Sequence, residues 1–375
     1  MIFERFRTSA LFKTPAYFYD LEKVSDNARA YLGLSPANYR IIYATMANPQ
    51  VEVIRTIKRA GLGLFVNSLA HLEVGLRCGF SPDEIVFAGS GHSLAVMERV
   101  ASLGVDYDAD SLEQLRSFMQ FTPKGRVGVR VNVGSLLGVD IGQDPAPRLG
   151  LSLNEIADAF SHFTHEISAL HLYIGTNLSN PYIHCKCLNA VAELAREYTP
   201  VNIINLGGGF AFSPLGNEDR GMWSSVLQLW DELFPVDSRI HLTIEPGRSI
   251  VRTSGAFFVS VTDVKYRHGQ RYVVVDTSST WFPRRLVHGI DEREVTVLEH
   301  ENEPVIGEAF LCGSSTFSHD YLTRAPLPEV KRGDVICFYA AGAYNEAMHL
   351  DFLGFERPRI VFHEGGRIWL KNEDA

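Results

Sequence analysis

The sequence predicts a (β/α)₈ barrel, or TIM barrel, followed by an all-β domain. Between about residues 40 and 250, short apolar runs alternate with amphipathic stretches, and after residue 250 strand-like runs follow one another without long helices. A strand-like run, PAYFYD, precedes the barrel and is free to join the later sheet. We therefore expect an N-terminal strand segment in 1–30 that joins the β domain, a barrel over 31–250 and the β domain over 251–375.

Eight barrel strands are marked by β-branched and aromatic residues bounded by Gly, Asn, Asp or Ser. They are expected at Arg40–Thr45, Gly63–Asn67, Glu84–Ala88, Tyr107–Asp110, Val127–Asn132, Ala169–Ile174, Ile203–Gly207 and Leu242–Glu245. Apolar residues at helical spacing predict helices between them. These are Pro49–Ala60, Leu69–Cys78, Leu94–Leu103, Leu112–Phe121, Leu153–Phe160 and Ile183–Glu197.

Composition bounds the class of protein. With 46% apolar and 21% charged residues, the chain has the profile of a soluble globular protein. It has no run of about 18 apolar residues, and its first residues mix charges with aromatics, so we expect a cytoplasmic protein. The net charge of -9, without a block of Lys or Arg, argues against nucleic acid or an anionic membrane as the main partner.

The five cysteines are too few and too irregularly spaced for a disulfide framework, so reduced thiols are expected. One local cluster, His184-Cys185-Lys186-Cys187, contains possible metal ligands. It lacks a second Cys/His pair at zinc-site spacing. We therefore predict no metal site there.

Three glycines, Gly207, Gly208 and Gly209, follow the seventh predicted strand. Glycines at a strand-to-helix turn allow backbone N–H groups to approach an anion, and the late strands of a barrel are where phosphates are usually held. A turn that is merely flexible is the alternative.

One strand later the chain reads Glu245-Pro246-Gly247-Arg248. A carboxylate at a strand end can pair with a ring nitrogen, and an arginine three residues on can hold a phosphate. The pair would suit a phosphorylated heteroaromatic ligand, although a structural ion pair is an equally simple explanation. Near the C-terminus, Gly342-Ala343-Tyr344 places a phenol just beyond another predicted strand.

In this order, the three motifs resemble the alanine-racemase-like, fold type III pyridoxal phosphate enzymes, and in particular the ornithine/diaminopimelate decarboxylase family. Further matches span nearly the whole chain. They are TPAYFYD, YATMAN, DADSLEQL, RVN, RLG, YIGTN and GDV.

The resemblance implies a role for each matched residue. Thr176, Gly207, Gly208, Gly209, Gly247, Arg248 and Tyr344 fall where the family holds the cofactor phosphate, and Glu245 falls where a carboxylate pairs with the pyridine nitrogen. Such a carboxylate keeps the ring nitrogen protonated, which makes the cofactor an electron sink.

The pattern breaks at the position of the family's Schiff-base lysine. The motif reads Tyr43-Ala44-Thr45-Met46-Ala47-Asn48, and methionine has no amine with which to bind the cofactor covalently. A substitution made to trap a complex would explain Met46 alone.

Other departures accompany it. Two acidic positions of the family fall on Phe65 and His71, and the histidine that stacks on the pyridine ring falls on Tyr173. In the later loop the proton-donating cysteine has become Thr316 and the adjacent acid Phe317. Because one engineered change would not introduce these, we interpret Met46 as natural.

Three functions remain open. In the first, the chain is a diverged decarboxylase that binds pyridoxal phosphate noncovalently. A replacement acid or base is then expected among Tyr173, His71, Thr316, His319 and Asp320. Alternatively, it is a non-catalytic homologue that regulates or pairs with an active decarboxylase. In a third reading, His71, Tyr173 and His319 belong to a pocket rebuilt for metal or haem chemistry.

The substrate and the assembly follow from the resemblance. Family members bind the distal group of a basic amino acid with the acid that is Phe317 here, so an amino-acid-like substrate that is less cationic, or carrier-linked, is expected. The family's active site forms between two subunits, which implies a homodimer.

Overall fold

A computed structural model describes residues 6–34, 38–139, 146–210, 217–235, 238–289, 294–298 and 300–371, with the backbone alone for 217–223 and 288. The chain divides into two compact units. One contains Ser25–Ile250, and the other combines Met1–Val24 with Val251–Ala375.

Within the described residues, the first unit contains a closed barrel of eight parallel strands, β2 to β9. Their bounds are Tyr39–Ala44, Gly63–Val66, Ile85–Ala88, Asp106–Ala109, Val127–Val131, Ile167–Leu172, Ile203–Asn205 and His241–Ile244. The barrel closes where β2 pairs with β9, in a register that sets Ile41 opposite Ile244. The predicted barrel is confirmed, and every strand lies within two residues of its expected bounds.

The helices of this part of the chain alternate with the strands. They are Leu21–Leu32, Val51–Ala60, Leu69–Arg77, Leu94–Leu103, Leu112–Met119, Val133–Leu137, Leu153–His162, Pro181–Glu197, Asn217–Leu233 and Arg248–Val251. Several begin at a serine whose side chain accepts a hydrogen bond from the third helical N–H, as Ser68 does from His71. The caps Ser68 and Ser111 place the starts of their helices directly after β3 and β5.

The second unit is built on a sheet to which the described residues contribute nine strands. They are β1 (Ala16–Asp20), β10 (Gly255–Arg267), β11 (Gln270–Val275), β12 (Val295–Val297), β13 (Gly307–Cys312), β14 (Tyr321–Leu327), β15 (Val335–Phe338), β16 (Arg359–Glu364) and β17 (Arg367–Leu370). The order along the sheet is β14-β13-β11-β10-β1-β16-β17, and β15 pairs with both β10 and β12. Short helices are few here, and Arg284–His288 is one of them.

The N-terminal strand joins this sheet, as predicted. β1 lies between β10, with which it runs antiparallel, and β16, with which it runs parallel. Phe18 is fully buried in a cluster that includes Phe6, Phe258 and Val361. The two ends of the sequence therefore share one hydrophobic core.

No helix in the described parts of the chain combines the length and the apolar character that crossing a membrane requires.

Candidate active site

The lysine position of the family lies in a 3₁₀ turn, Thr45–Ala47, directly after β2. Tyr43 donates a hydrogen bond to the carbonyl of Asn48 (3.1 Å), and the Asn48 side chain accepts one from the backbone of Gln50 (3.1 Å). Tyr43 and Asn48 of the YATMAN motif therefore hold the turn that presents Met46.

Met46 has apolar neighbours. It is partly buried and packs against a cluster formed by Ile42, Ala44, Phe65, Val86 and Ala88. An ammonium group placed there would lose hydration without gaining a carboxylate within this cluster. The apolar cluster thus suits a methionine better than an amine.

His71 lies in the first turn of the helix that follows β3. Its Nδ1 is 3.1 Å from the hydroxyl oxygen of Thr45, and its backbone N–H donates to Ser68 Oγ. Burial lowers the pKa of His71. The imidazole is therefore neutral near pH 7. Its hydrogen-bond partner, Thr45, directly precedes Met46 in the chain.

The glycine turn after β8 is packed against three neighbouring segments. A Cβ on Gly207 would lie 2.3 Å from the carbonyl oxygen of Leu172, one on Gly208 2.5 Å from that of Glu245, and one on Gly209 2.0 Å from that of Gly175. Gly207 and Gly209 also have positive φ angles of 69° and 88°. Only glycine fits at these positions.

Two N–H groups of this turn are available to a ligand. The N–H of Gly207 is used internally, because it donates to Asn205 Oδ1 (2.9 Å). Those of Gly208 and Gly209 donate to no acceptor among the residues described. Successive unpaired backbone N–H groups form a favourable phosphate site.

Glu245 is nearly buried at the end of β9. Its Oε1 accepts a hydrogen bond from Asn205 Nδ2 (2.6 Å) and lies 3.3 Å from His171 Nε2. Over the described ranges its second oxygen, Oε2, accepts no hydrogen bond. One oxygen is thus fixed while the other can receive a ring N–H.

His171 connects Glu245 to charges deeper in the barrel, and sequence reasoning missed it. It is 1% exposed, and its Nδ1 lies 3.4 Å from Asp108 Oδ2. Arg126 Nη1 in turn pairs with Asp108 Oδ1 (2.9 Å). Burial opposes the charge of Arg126, but Asp108 and Asp106 outweigh it and raise the pKa of its guanidinium.

The Glu245–Arg248 segment returns to the turn that carries Met46. A Cβ on Gly247 would lie 3.1 Å from the Cβ atoms of both Ala44 and Ala47, and the Ala44 N–H donates to Pro246 O (3.2 Å). Arg248 follows as the first residue of the helix Arg248–Val251. The turn that carries Met46, the Glu245–Arg248 segment and the glycine turn are therefore neighbours at the strand ends.

Tyr173 and Thr176 lie on the loop after β7. Their hydroxyl oxygens are 2.6 Å apart, and the Leu178 N–H behind them bonds to Gly209 O (2.9 Å). Tyr173 is partly buried and Thr176 is exposed. The loop that carries both hydroxyls thus lies beside the glycine turn.

Three matched motifs prove to be structural. Asp110 of DADSLEQL accepts a hydrogen bond from Arg130 of RVN (2.9 Å) and one from the N–H of Gly150 of RLG (3.2 Å). All three residues fasten strand ends to one another.

The remaining predicted residues belong to the β unit. Asp320 is 4% exposed, and its carboxylate accepts hydrogen bonds from Ser278, Ser279 and Ser315. Its oxygens hold the loop, whereas Thr316 and His319 are exposed. Tyr344 is partly buried with a φ of 54°, a strained value of the kind that clusters at functional sites.

A metal centre that includes His71 or His319 finds no support. The one group of three His, Cys, Asp or Glu side chains within ligand distance, among the residues described, is Asp20, Glu22 and His363. The cysteines, including Cys185 and Cys187, are free thiols.

The residues present fit a pyridoxal phosphate that is held without a covalent bond. The glycine turn offers unpaired N–H groups to a phosphate, and Glu245 offers an oxygen to a ring nitrogen. Met46 supplies no amine.

Comparison with known proteins identifies the family of the chain. The family model described as "Pyridoxal-dependent decarboxylase, pyridoxal binding domain" matches residues 21–252. The chain is similar to diaminopimelate decarboxylase of Deinococcus radiodurans, with 27% identity over 361 residues that cover 94% of this chain and 91% of that protein. For the enzyme of Archaeoglobus fulgidus the identity is 25% over 377 residues, covering 94% and 88%.

Solved structures show the same fold. Diaminopimelate decarboxylase from Helicobacter pylori, complexed with L-lysine, superposes with a TM-score of 0.85 at 21% identity and covers 99% of this chain and 95% of that one. Lysine/ornithine decarboxylase from Vibrio vulnificus, complexed with putrescine, gives 0.82 at 19% identity, covering 94% and 95%. The chain thus belongs to the pyridoxal-dependent decarboxylase family, whose cofactor is pyridoxal phosphate.

Proposed function

We propose that this protein is a diverged amino-acid decarboxylase that holds pyridoxal phosphate noncovalently at the mouth of its barrel. One observation carries the proposal. The N–H groups of Gly208 and Gly209 and the Oε2 atom of Glu245 have no partner among the described residues, while Met46 and Phe65 form an apolar wall at the lysine position. When bound, the cofactor supplies an electron sink for the electrons released as CO₂ departs.

Each residue has a defined task in this proposal. The N–H groups of Gly208 and Gly209, together with Arg248 and Thr176, bind the phosphate, and Glu245 Oε2 accepts the ring N–H. Asn205 and His171 hold Glu245 Oε1. His71 accepts protons beside the apolar wall, because its neutral imidazole is hydrogen-bonded to Thr45 of the Met46 turn.

Binding is tested by titrating the purified protein with pyridoxal phosphate, with pyridoxal as a matched ligand that lacks the phosphate. We expect saturable binding of pyridoxal phosphate, a free-aldehyde spectrum, loss of the ligand on dialysis and at least tenfold weaker binding of pyridoxal. Borohydride should leave the protein mass unchanged. Absence of binding at millimolar ligand would overturn the proposal.

Catalysis is tested separately, by CO₂ release from a panel of α-amino acids in the presence of saturating cofactor. Turnover that depends on His71 would support a diverged enzyme. Binding without turnover would favour the alternative, a non-catalytic homologue that pairs with an active decarboxylase; the loss of both the amine and the loop cysteine favours that alternative.

We propose an amino-acid-like substrate that lacks a distal cation, including one linked to a carrier. Phe317 packs edge-on against His319 and Phe352, with 5.6 Å between ring centroids in both cases. An ammonium group would meet rings here instead of a carboxylate. The panel should therefore include acylated diamino acids beside free lysine and ornithine, and a preference for the free dibasic amino acids would contradict the proposal.

A homodimer is the assembly we propose. The β unit exposes a patch comprising Leu350, Phe352 and Leu353, which are 42%, 54% and 37% exposed, next to the Phe317 loop. Light scattering at micromolar protein should give twice the chain mass, and Phe352→Asp should weaken association. Tyr266→Asp, at another exposed aromatic of the same unit, serves as the control.

We further propose a cytoplasmic location, which is supported by the five free cysteines. Cell fractionation with a compartment-specific thiol reagent would test it.

A further inference from the structure

The hydroxyl of Thr45 makes two contacts that together determine where the ring proton of His71 lies. Thr45 is 1% exposed, and its Oγ1 donates to the carbonyl oxygen of Phe65 at 3.0 Å. The same oxygen lies 3.1 Å from His71 Nδ1. A hydroxyl has one proton, and a carbonyl can only accept, so Thr45 has no proton left to give to the ring. His71 Nδ1 is therefore the donor of the second bond.

Two further features of its environment keep the His71 ring neutral. His71 is the third residue of its helix, where the partial positive charge of the helix N-terminus opposes a second proton. Burial acts in the same direction. A neutral imidazole with its proton on Nδ1 carries a lone pair on Nε2.

The position of Thr45 and His71, next to Met46, indicates what the Nε2 lone pair does. Thr45 precedes Met46, and the carbonyl that Thr45 binds belongs to Phe65, which packs in the cluster against Met46. The Thr45 hydroxyl therefore lies next to Met46, the position of the family's lysine, and is bonded to Phe65, the position of one of its carboxylates. It connects both positions to the base His71.

We propose that Thr45 is a positioning residue that fixes the Nδ1–H form of His71, so that Nε2 accepts a proton from the α-ammonium group of the substrate. In this step an N–H bond of the substrate breaks, the proton joins Nε2, and the amine keeps its electron pair. The role in turnover rests on the function proposed above. The tautomer does not, because it follows from the protein's own hydrogen bonds.

The decisive experiment is long-range ¹H–¹⁵N NMR of the full chain with labelled histidine, without cofactor, at pH 7.5. His71→Gln identifies the signals. We expect a pyridine-type signal for Nε2 and a pyrrole-type signal for Nδ1. In Thr45→Val, which removes the hydroxyl but keeps the shape, both signals should move towards the average of the two tautomers, while Thr45→Ser should retain the original pattern.

A pyridine-type Nδ1 in the unmodified protein would overturn the inference, and so would a pattern that Thr45→Val leaves unchanged. Circular dichroism and thermal unfolding check that the valine variant is folded, and Thr45→Ser provides the second test if it is not. If pyridoxal phosphate fails to bind, the proposed function fails but the NMR result is unaffected.

A kinetic readout then separates positioning from structure. With the active substrate found in the panel, Thr45→Val should lower kcat about tenfold with little change in KM, and Thr45→Ser should restore it. His71→Gln should lower kcat by about 100-fold or more. An equal kcat for Thr45→Val and the unmodified protein would count against the positioning role.

Discussion

Met46 packs against apolar side chains. Its contacts are with Ile42, Ala44, Phe65, Val86 and Ala88, a cluster without a charged group. Replacing Met46 by lysine therefore tests whether this cluster can accommodate an amine.

Met46→Lys should lower the free energy of unfolding by about 1–3 kcal/mol, because the amine loses hydration without gaining a partner. Met46→Lys combined with Phe65→Asp should recover part of that loss and allow pyridoxal phosphate to attach covalently, with a mass increase after borohydride reduction. Denaturant unfolding and mass spectrometry measure both. A double variant less stable than the sum of the single changes would contradict this expectation.

His184 predicts a pH dependence of stability. It is fully buried and stacked on Phe210, with 5.2 Å between centroids. Burial lowers its pKa from 6.5 to about 4, although the backbone of Asn180 partly opposes this. The unfolded chain therefore takes up a proton below pH 6.5, where the folded one does not.

Stability that is present above pH 6.5 should fall by up to about 3 kcal/mol as the pH drops to 4. His184→Leu should flatten this part of the pH profile in urea unfolding, whereas His165→Asn, at an exposed position, should leave it intact. An unchanged slope in His184→Leu would show that other groups cause the effect.

At the residue scale, motif comparison predicted roles for Met46, Phe65, His71 and Glu245. It did not point to His171 or to the hydrogen bonds of Thr45. His171 acts because strands β5, β7 and β9 bring Asp108 and Glu245 to either side of it, and that register is not visible in a local motif.

At the scale of the element, the glycine turn after β8 combines a backbone requirement with close packing. Gly209 and Gly79 have nearly the same φ angle, 88° and 89°. They differ in their surroundings, since a Cβ on Gly209 would strike the carbonyl of Gly175 and one on Gly79 would have nothing within 4 Å. The two positions form a matched pair.

Gly79→Ala should cost about 1 kcal/mol, the price of a left-handed backbone alone. Gly209→Ala should cost about 3 kcal/mol or more and weaken pyridoxal phosphate binding at least tenfold, because the turn must move away from Gly175. Thermal unfolding and ligand titration measure these effects. Similar losses in the two variants would show that packing is unimportant here.

Strand and helix bounds were predictable where apolar spacing is regular. The helix Asn217–Leu233 was missed because its first residues, NEDRGM, are polar and include a glycine, so its periodicity begins late. The sequence pattern does not mark Tyr321–Leu327 and Arg367–Leu370 as strands either. Arg324, Pro326 and Arg367 interrupt their apolar pattern, and sheet pairing overrides the weak local preference.

At the scale of the whole molecule, the β unit depends on residues from both ends of the chain. Phe18 of β1 stacks on Phe6 (4.8 Å between centroids) and packs beside Phe258 and Val361. The change from alternating strands and helices to successive strands after residue 250 predicted this unit. The N-terminal strand was expected to join it, because an unpaired apolar strand before a barrel needs a sheet to join.

Phe18→Ala should lower the free energy of unfolding by about 3–5 kcal/mol, as expected for a large buried ring. Tyr266→Ala, where the ring is 61% exposed, should change it by no more than about 0.5 kcal/mol. Hydrogen exchange should show protection lost mainly in β1, β10 and β16. Loss confined to the barrel strands would contradict this assignment.

The pairing of β1 with β16 also has a consequence during synthesis of the chain. β1 ends at Asp20, whereas its parallel partner extends over Arg359–Glu364. A ribosome that adds roughly 5–20 residues per second leaves the strand without this partner for roughly 20–70 s. β10, the antiparallel partner of β1, is made earlier, so Tyr17, Phe18 and Tyr19 lack one of their two neighbouring strands until the end of synthesis. This makes the first segment a target for chaperones and links the yield of folded protein to the speed of translation.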